Sequence, residues 1–184
     1  MNSLQDIVIR PELKSEAVAV ENMICRTFGN NHQSSLLGSL RSNVLFKRNL
    51  SLIALMDNDP KGHLLLFPGY LRAESGIYRT LTLVMISVLP DFQQQGIGSM
   101  LLAAGIDEAR AGHFAYILVC GAPGFFCRAG FASVTDYNIH RKETGVKSQM
   151  LILETEPGSL GQLKGHVEFP ELPTSENRLK RSDV

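Results

Sequence analysis

The chain lacks an excess of either charge: across 184 residues, 18 Lys and Arg balance 18 Asp and Glu. Whole-molecule attraction to a polyanion therefore has no basis, and neither a nucleic-acid partner nor a membrane surface is expected. Cysteine is scarce. Cys25, Cys120 and Cys127 are an odd set without a CxxC pair, which excludes a disulfide framework and suits thiols in a reducing cytoplasm. No apolar run approaches the roughly 18 residues of a spanning helix, and Met1 to Asp6 carries neither a basic nor an apolar leader segment. A cytoplasmic location follows as the expectation. The five histidines show no ligand spacing, so no metal is expected. What is present is an ordinary globular composition, 44% hydrophobic, long enough for a sizeable core. One domain is expected over residues 1–170, with a polar, flexible tail over 171–184.

Periodicity divides the chain into short elements. Asp6-Ile-Val-Ile9 reads as a strand. Ser15 is placed to cap a helix whose buried stripe is Ala17, Val20, Ile24 and Phe28, and Gly29 ends it. A second helix is expected over residues 36–49, with Leu37, Leu40, Val44 and Leu45 inside and Arg41, Lys47 and Arg48 on a solvated face. Strands follow over 50–55, 63–71 and 78–89, joined by turns at 57–62 and 74–77. Pro68 within the second of these marks a bulge or an edge position. A helix through Leu101, Leu102, Ile106 and Ala109 stops at Gly112 and leads to a buried strand over 114–120. Pro123 and Gly130 bracket a short helix, and strands over 131–134 and 149–153 complete the pattern. Hairpins first and one β-α-β crossover later imply a mixed α/β sheet with helices on both faces.

The chemistry centres on residues 84–102. An apolar strand breaks at Pro90-Asp91 and passes through Gln93-Gln-Gln-Gly96-Ile-Gly98 into a helix. Glycines let consecutive backbone N–H groups turn inward, and the helix N-terminus adds about half a positive charge, so a phosphate or pyrophosphate is the expected guest. A P-loop requires Lys after its last glycine, where Ser99 stands. A dinucleotide fingerprint requires a third glycine, where Leu101 stands.

Gln93-Gln-Gln-Gly96-Ile-Gly98 resembles the Q/R-x-x-G-x-G/A signature of the GCN5-related N-acetyltransferases, the GNAT superfamily. A second block, Val119-Cys-Gly-Ala-Pro-Gly-Phe-Phe-Cys-Arg-Ala-Gly-Phe131, resembles the short helix and following strand of the same family, at family spacing. The likeness extends from Ile7 to about Leu153 and is nearest to a bacterial subgroup of N-acetyltransferases. It implies a GNAT fold: an α/β (α+β) architecture with a mixed, mostly antiparallel central sheet, helices on both faces and splayed middle strands. It also implies acetyl-CoA (coenzyme A) as co-substrate. On this reading the backbone of Gln94, Gln95, Gly96, Ile97, Gly98 and Ser99, beside Gln93, holds the pyrophosphate. Ile86, Ser87 and Val88 pair with the pantetheine arm, and Gly121 and Phe126 complete the cofactor site. Ser87 and Val88 are the expected backbone contacts to the thioester and its oxyanion.

The acid and base are harder to assign. The family's strand glutamate falls at about Thr82, which cannot serve as a base, and its usual tyrosine at Phe126, which has no proton to give. Glu74 and Glu154 read as solvated carboxylates, and Cys127 as a small packing residue. The expected activity is acetyl transfer to a primary amine by direct transfer in a ternary complex, the acceptor being a small molecule or a protein. The alternative is a catalytically weak acyl-CoA-binding sensor of the same fold. Homodimers occur in the superfamily and are compatible with this chain.

Overall fold

A computed structural model describes residues 7–137, 139–141, 149–163 and 165–168. The sheet runs in the order β1-β2-β3-β4-β5-β8-β6, with β9 joined to β3 and β7 to β9. These strands are β1 (Val8–Pro11), β2 (Ser51–Met56), β3 (Asp59–Ala73), β4 (Gly76–Val88), β5 (Tyr116–Cys120), β6 (Ala132–Ser133), β7 (Ile139–Arg141), β8 (Met150–Glu154) and β9 (Gly165–Glu168). Four helices accompany them among the described residues: α1 (Ala17–Phe28), α2 (His32–Arg41), α3 (Ile97–Ala111) and α4 (Pro123–Phe126). Pairing is antiparallel except between β4 and β5 and between β7 and β9. This is the mixed α/β architecture expected, and β4-α3-β5 is its crossover. The tail over 171–184 lies outside the described residues.

Alternation along the strands divides the core into two faces. Leu52, Ala54, Leu64, Leu66, Leu81 and Leu83 pack against Ile97, Leu101, Ile106 and Ala109 of α3. Ile53, Leu55, Leu65, Phe67 and Met85 pack against Val20, Met23 and Ile24 of α1 and Leu37 and Leu40 of α2. The β2–β3 turn is tighter than the sequence suggested. Only Asp57 and Asn58 separate the strands, both with positive φ (53° and 60°), as a two-residue hairpin of matching twist requires. Pro68 pairs with Leu81, and on its other side β2 has ended at Leu65 and β9 begins at Tyr70. Its missing N–H therefore costs no ladder bond.

Three local expectations are corrected. Ser15 does not cap α1; a 3-10 turn over Lys14–Glu16 precedes it, and Glu16 instead accepts the Leu13 N–H at 2.7 Å and pairs with Arg10 at 2.6 Å. The second helix starts at His32 and ends at Arg41, well short of 49; Asn43 and Phe46 close turns, and Val44 is almost fully exposed. Cys120 is exposed rather than buried.

A fourth expectation is corrected at Arg41, which is not on a solvated face. It meets Glu12 through Nε (2.9 Å) and Nη2 (2.7 Å), and Glu21 through Nη1 at 2.6 Å. Glu12 is fully buried, as is His63, whose Nε2 lies 2.9 Å from Ser51 Oγ and 3.7 Å from Glu12. Burial, aided by the Arg41 charge, depresses the His63 pKa from 6.5 to about 3. The imidazole is therefore neutral at pH 7, and its approach to Glu12 is not an ion pair. This cluster ties α2 to the β1–β2 side of the sheet.

Arg41→Met should destabilise the fold by about 3–5 kcal/mol in urea unfolding, because it strands a buried carboxylate; a loss below about 1 kcal/mol would contradict the assignment. The depressed His63 pKa also sets a pH dependence. Above 6.5 neither state binds the proton, whereas between 6.5 and about 3 the unfolded chain binds it and the folded chain does not. Stability contributed by the neutral imidazole is thus lost as pH falls through this window. From pH 7 to pH 5 the wild type should lose about 2 kcal/mol more than His63→Gln, measured by urea titration at both pH values. Parallel pH profiles would show that His63 does not titrate as its burial demands.

Candidate active-site cleft

The cleft begins where the parallel pair of strands ends. β4 and β5 are in register from Thr80↔Tyr116 to Leu83↔Val119, and no further, although β4 continues to Val88. A bulge lies at the same point: Leu65 faces Met85 and Leu66 faces Leu83, leaving Val84 unopposed on β3. Bulges add twist and turn a strand away from its neighbour. The last residues of β4 consequently present one edge without a strand partner.

Which groups lie on that edge follows from the ladder. The Leu89 N–H donates to Lys61 O at 2.9 Å. Antiparallel pairs alternate, so Ser87, opposite His63, also directs its main-chain groups to β3, and Ile86 and Val88 direct theirs to the open edge. In agreement, the Val88 carbonyl accepts the side-chain amide of Gln93 at 2.9 Å. The Ser87 side chain is buried, with its hydroxyl 3.5 Å from His63 O. Ile86 and Val88, rather than Ser87 and Val88, are the backbone donors and acceptors available to an extended ligand.

Beyond Val88, Pro90–Phe92 form a 3-10 turn and the glycine loop follows. Gln94 has φ +59° and Gly96 φ +86°. The left-handed conformation costs a non-glycine residue roughly 1–2 kcal/mol, so Gln94 is held there by the turn around it. Gln95 donates its side-chain amide to Asp91 O at 3.0 Å, bracing the loop. The first bond of α3 is Met100 N–H to Gly96 O at 3.0 Å. The N–H groups of Gly96, Ile97, Gly98 and Ser99 thus precede the helical ladder and remain to be satisfied by a ligand or solvent.

Loop and open edge share one cleft of about 480 Å³, lined by Ile86, Ser87, Val88, Phe92, Gln93, Gln94, Gly96, Ile97, Gly98, Ser99, Phe125 and Arg128. The volume falls in the usual range for small-molecule and cofactor sites. Phe92, Phe125 and Arg128 were missed from sequence. Gln95, Gly121 and Phe126, expected here, do not line it. The reason for the last is helical phase. Consecutive helical residues point about 100° apart. Phe125 faces the cleft, while Phe126 packs into the core, edge-on to Phe125 (5.0 Å) and Phe131 (5.6 Å). A Cβ on Gly121 would lie 2.7 Å from the Phe126 ring, so Gly121 serves that packing.

The proton-transfer candidates are placed elsewhere. Thr82 is buried with its hydroxyl unpartnered. Glu154 accepts the N–H groups of Gly158 and Leu160, both at 2.9 Å, and these bonds hold its pKa below the usual carboxylate value. It is a turn-forming residue. Tyr116 donates to Ser159 O and Tyr78 to Ser75 Oγ, away from the cleft. Among the described residues no cluster of His, Cys, Asp and Glu could hold a metal, and no helix is long and apolar enough to cross a membrane.

Gly98 has an ordinary helical φ, and a Cβ there would meet Phe125 at 3.6 Å and Val88 at 3.9 Å, in van der Waals contact. Its missing side chain keeps space open and is not needed for conformation. Gly98→Ala should therefore fold with unchanged or slightly raised thermal stability, by up to about 1 kcal/mol; clear destabilisation would assign Gly98 a scaffold role instead.

The model of one protein family, the acetyltransferase (GNAT) family, matches residues 17–131, more than half of the chain. The uncharacterized N-acetyltransferase YjhQ of Escherichia coli K12 is 27% identical over 118 residues, covering 64% of this chain and 65% of YjhQ. The chain thus spans just under two thirds of that relative's length. The uncharacterized N-acetyltransferase YhbS of the same strain is 21% identical over 166 residues, 90% of this chain and 97% of YhbS. The crystal structure of E. coli YhbS in complex with CoA superposes with a TM-score of 0.80 at 20% identity, covering 93% of both chains. A GNAT family acetyltransferase from Brucella melitensis, in complex with acetyl-CoA, gives a TM-score of 0.71 at 22% identity over 90% of this chain and 97% of its own.

Proposed function

Because the chain belongs to the acetyltransferase (GNAT) family, we propose that it transfers an acetyl group from acetyl-CoA to a primary amine, directly and within a ternary complex. The observation that carries this reading is the continuity of the open β4 edge with the glycine loop in one cleft. Acetyl-CoA is a thioester on an amide-containing arm that ends in a diphosphate. The N–H groups of Gly96 to Ser99 suit the diphosphate. The main-chain groups of Ile86 and Val88 suit the amides of the arm, with the Gln93 side chain yielding the Val88 carbonyl. The space beside Gly98 admits the ligand, which a Cβ would narrow.

Acyl transfer forms a C–N bond to the acetyl carbonyl, breaks its C–S bond, and moves one proton from the attacking amine to the departing sulfur or to solvent. An alkylammonium has no lone pair at pH 7, so the amine must first lose a proton. An N–H of Ile86 or Val88 supports the negative charge that develops on the carbonyl oxygen. The described cleft lining offers no carboxylate, histidine or tyrosine. That observation favours deprotonation through water and departure of the thiolate without a dedicated acid. It also sustains a second reading, an acyl-CoA-binding sensor with weak turnover. The acceptor is a small molecule or a protein amine.

Isothermal titration with acetyl-CoA should give saturable binding, and absence of heat at millimolar ligand would overturn the proposal. Gly98→Glu fills the cleft and sets a carboxylate against phosphate, so affinity should fall by on the order of a hundredfold or more. Thiol release with a broad panel of primary amines then separates the two readings: amine-dependent CoA release supports the transferase, and tight binding without it supports the sensor.

A further inference from the structure

The cleft as described carries one ionisable side chain among its lining residues, Arg128. Acetyl-CoA is a polyanion, with a diphosphate and, on the ribose, a 3′-phosphate monoester. The backbone cradle of Gly96 to Ser99 answers the diphosphate with neutral donors. It leaves the monoester, the most highly charged single group of the ligand, without a partner. Arg128 lies in the 3-10 turn Cys127–Ala129 that continues α4, and the backbone stays helical across the junction, with Phe126 at φ −74°, ψ −36° and Cys127 at φ −62°, ψ −31°. Residues three apart on such a path share a face. Phe125, 3.6 Å from the Cβ position of Gly98, therefore fixes the direction of Arg128: both project across the cleft from the glycine loop.

The charge of Arg128 is not already spent. Arg10 pairs with Glu16, Arg41 with Glu12 and Glu21, and Arg110 with Asp107. Among the described residues Arg128 has no carboxylate partner, and its side chain is exposed at the mouth of the cleft. A guanidinium in that position presents a planar fork suited to two phosphate oxygens. Resting on the acetyl-CoA reading above, we infer that Arg128 is the counter-cation of the ligand's ribose 3′-phosphate and sets a preference for CoA over dephospho-CoA. Gln93, which also lines the cleft, is uncharged and cannot play this part.

The test is a four-way calorimetric comparison on the full-length chain: wild type and Arg128→Ala, each titrated with CoA and with dephospho-CoA, at two salt concentrations. Wild type should prefer CoA by about tenfold, a preference that shrinks as salt rises. Arg128→Ala should bind CoA about tenfold more weakly, bind dephospho-CoA as wild type does, and keep the wild-type melting temperature. Arg128→Lys, which keeps the charge and loses the fork, should fall between them. Equal weakening towards both ligands would place Arg128 against the diphosphate and overturn the inference. So would unchanged CoA affinity in Arg128→Ala. Failure of the wild type to bind either ligand is a different outcome: it removes the acetyl-CoA reading itself, and with it the role given to Arg128.

Discussion

The interruption of pairing between β4 and β5 is the constraint on which the rest of the molecule depends. Two parallel strands that pair through Leu83↔Val119 and then part leave backbone donors and acceptors without a strand partner inside a sheet. Such groups are costly unless water or a ligand satisfies them. The bulge at Val84 supplies the change of direction, and the pairing of Ser87 with His63 fixes which residues are turned outward. The glycine loop then begins within a few residues of the open edge, so the strand edge and the helix terminus line one continuous cleft.

This cleft is supported from two sides. On one face α3 is held by aliphatic packing against β2, β3 and β4, which fixes the helix N-terminus carrying the cradle. On the other, the buried Glu12–Arg41 pair and the neutral His63 join α2, β2 and β3 into one unit. A buried ion pair contributes less to net stability than an apolar contact of equal size, but it penalises misplacement severely. Arg41 thereby positions α2, and with it one wall of the α1/α2 face, more strictly than its leucines could.

Much of this was legible in the residues. The order of elements, the crossover and the loop followed from periodicity and from Gly96 and Gly98, because hydrophobic alternation and glycine placement are local signals. What was not legible rests on distant partners: the burial of Arg41 depends on Glu12, which lies 29 residues away in sequence and carries no pattern of its own. That the Ser87 main chain turns towards β3 could not be read from sequence, because which edge a strand residue faces depends on register, set here by Leu89 and Lys61. Phe126 was chosen by family position. Helical phase separates Phe125 from Phe126, but which of the two faces the cleft is decided by the seating of α4 on Phe131 and the core.

The central claim, that one extended ligand occupies the open β4 edge and the helix terminus together, is tested most directly by an amide-resolved NMR titration with acetyl-CoA. The main-chain N–H signals of Ile86 and Val88 should shift along with those of Gly96, Ile97 and Gly98, with one common saturation curve, while Ser87 moves less than its neighbours. Saturable binding that leaves the Ile86 and Val88 amides unmoved, or moves the two groups with different affinities, would contradict it.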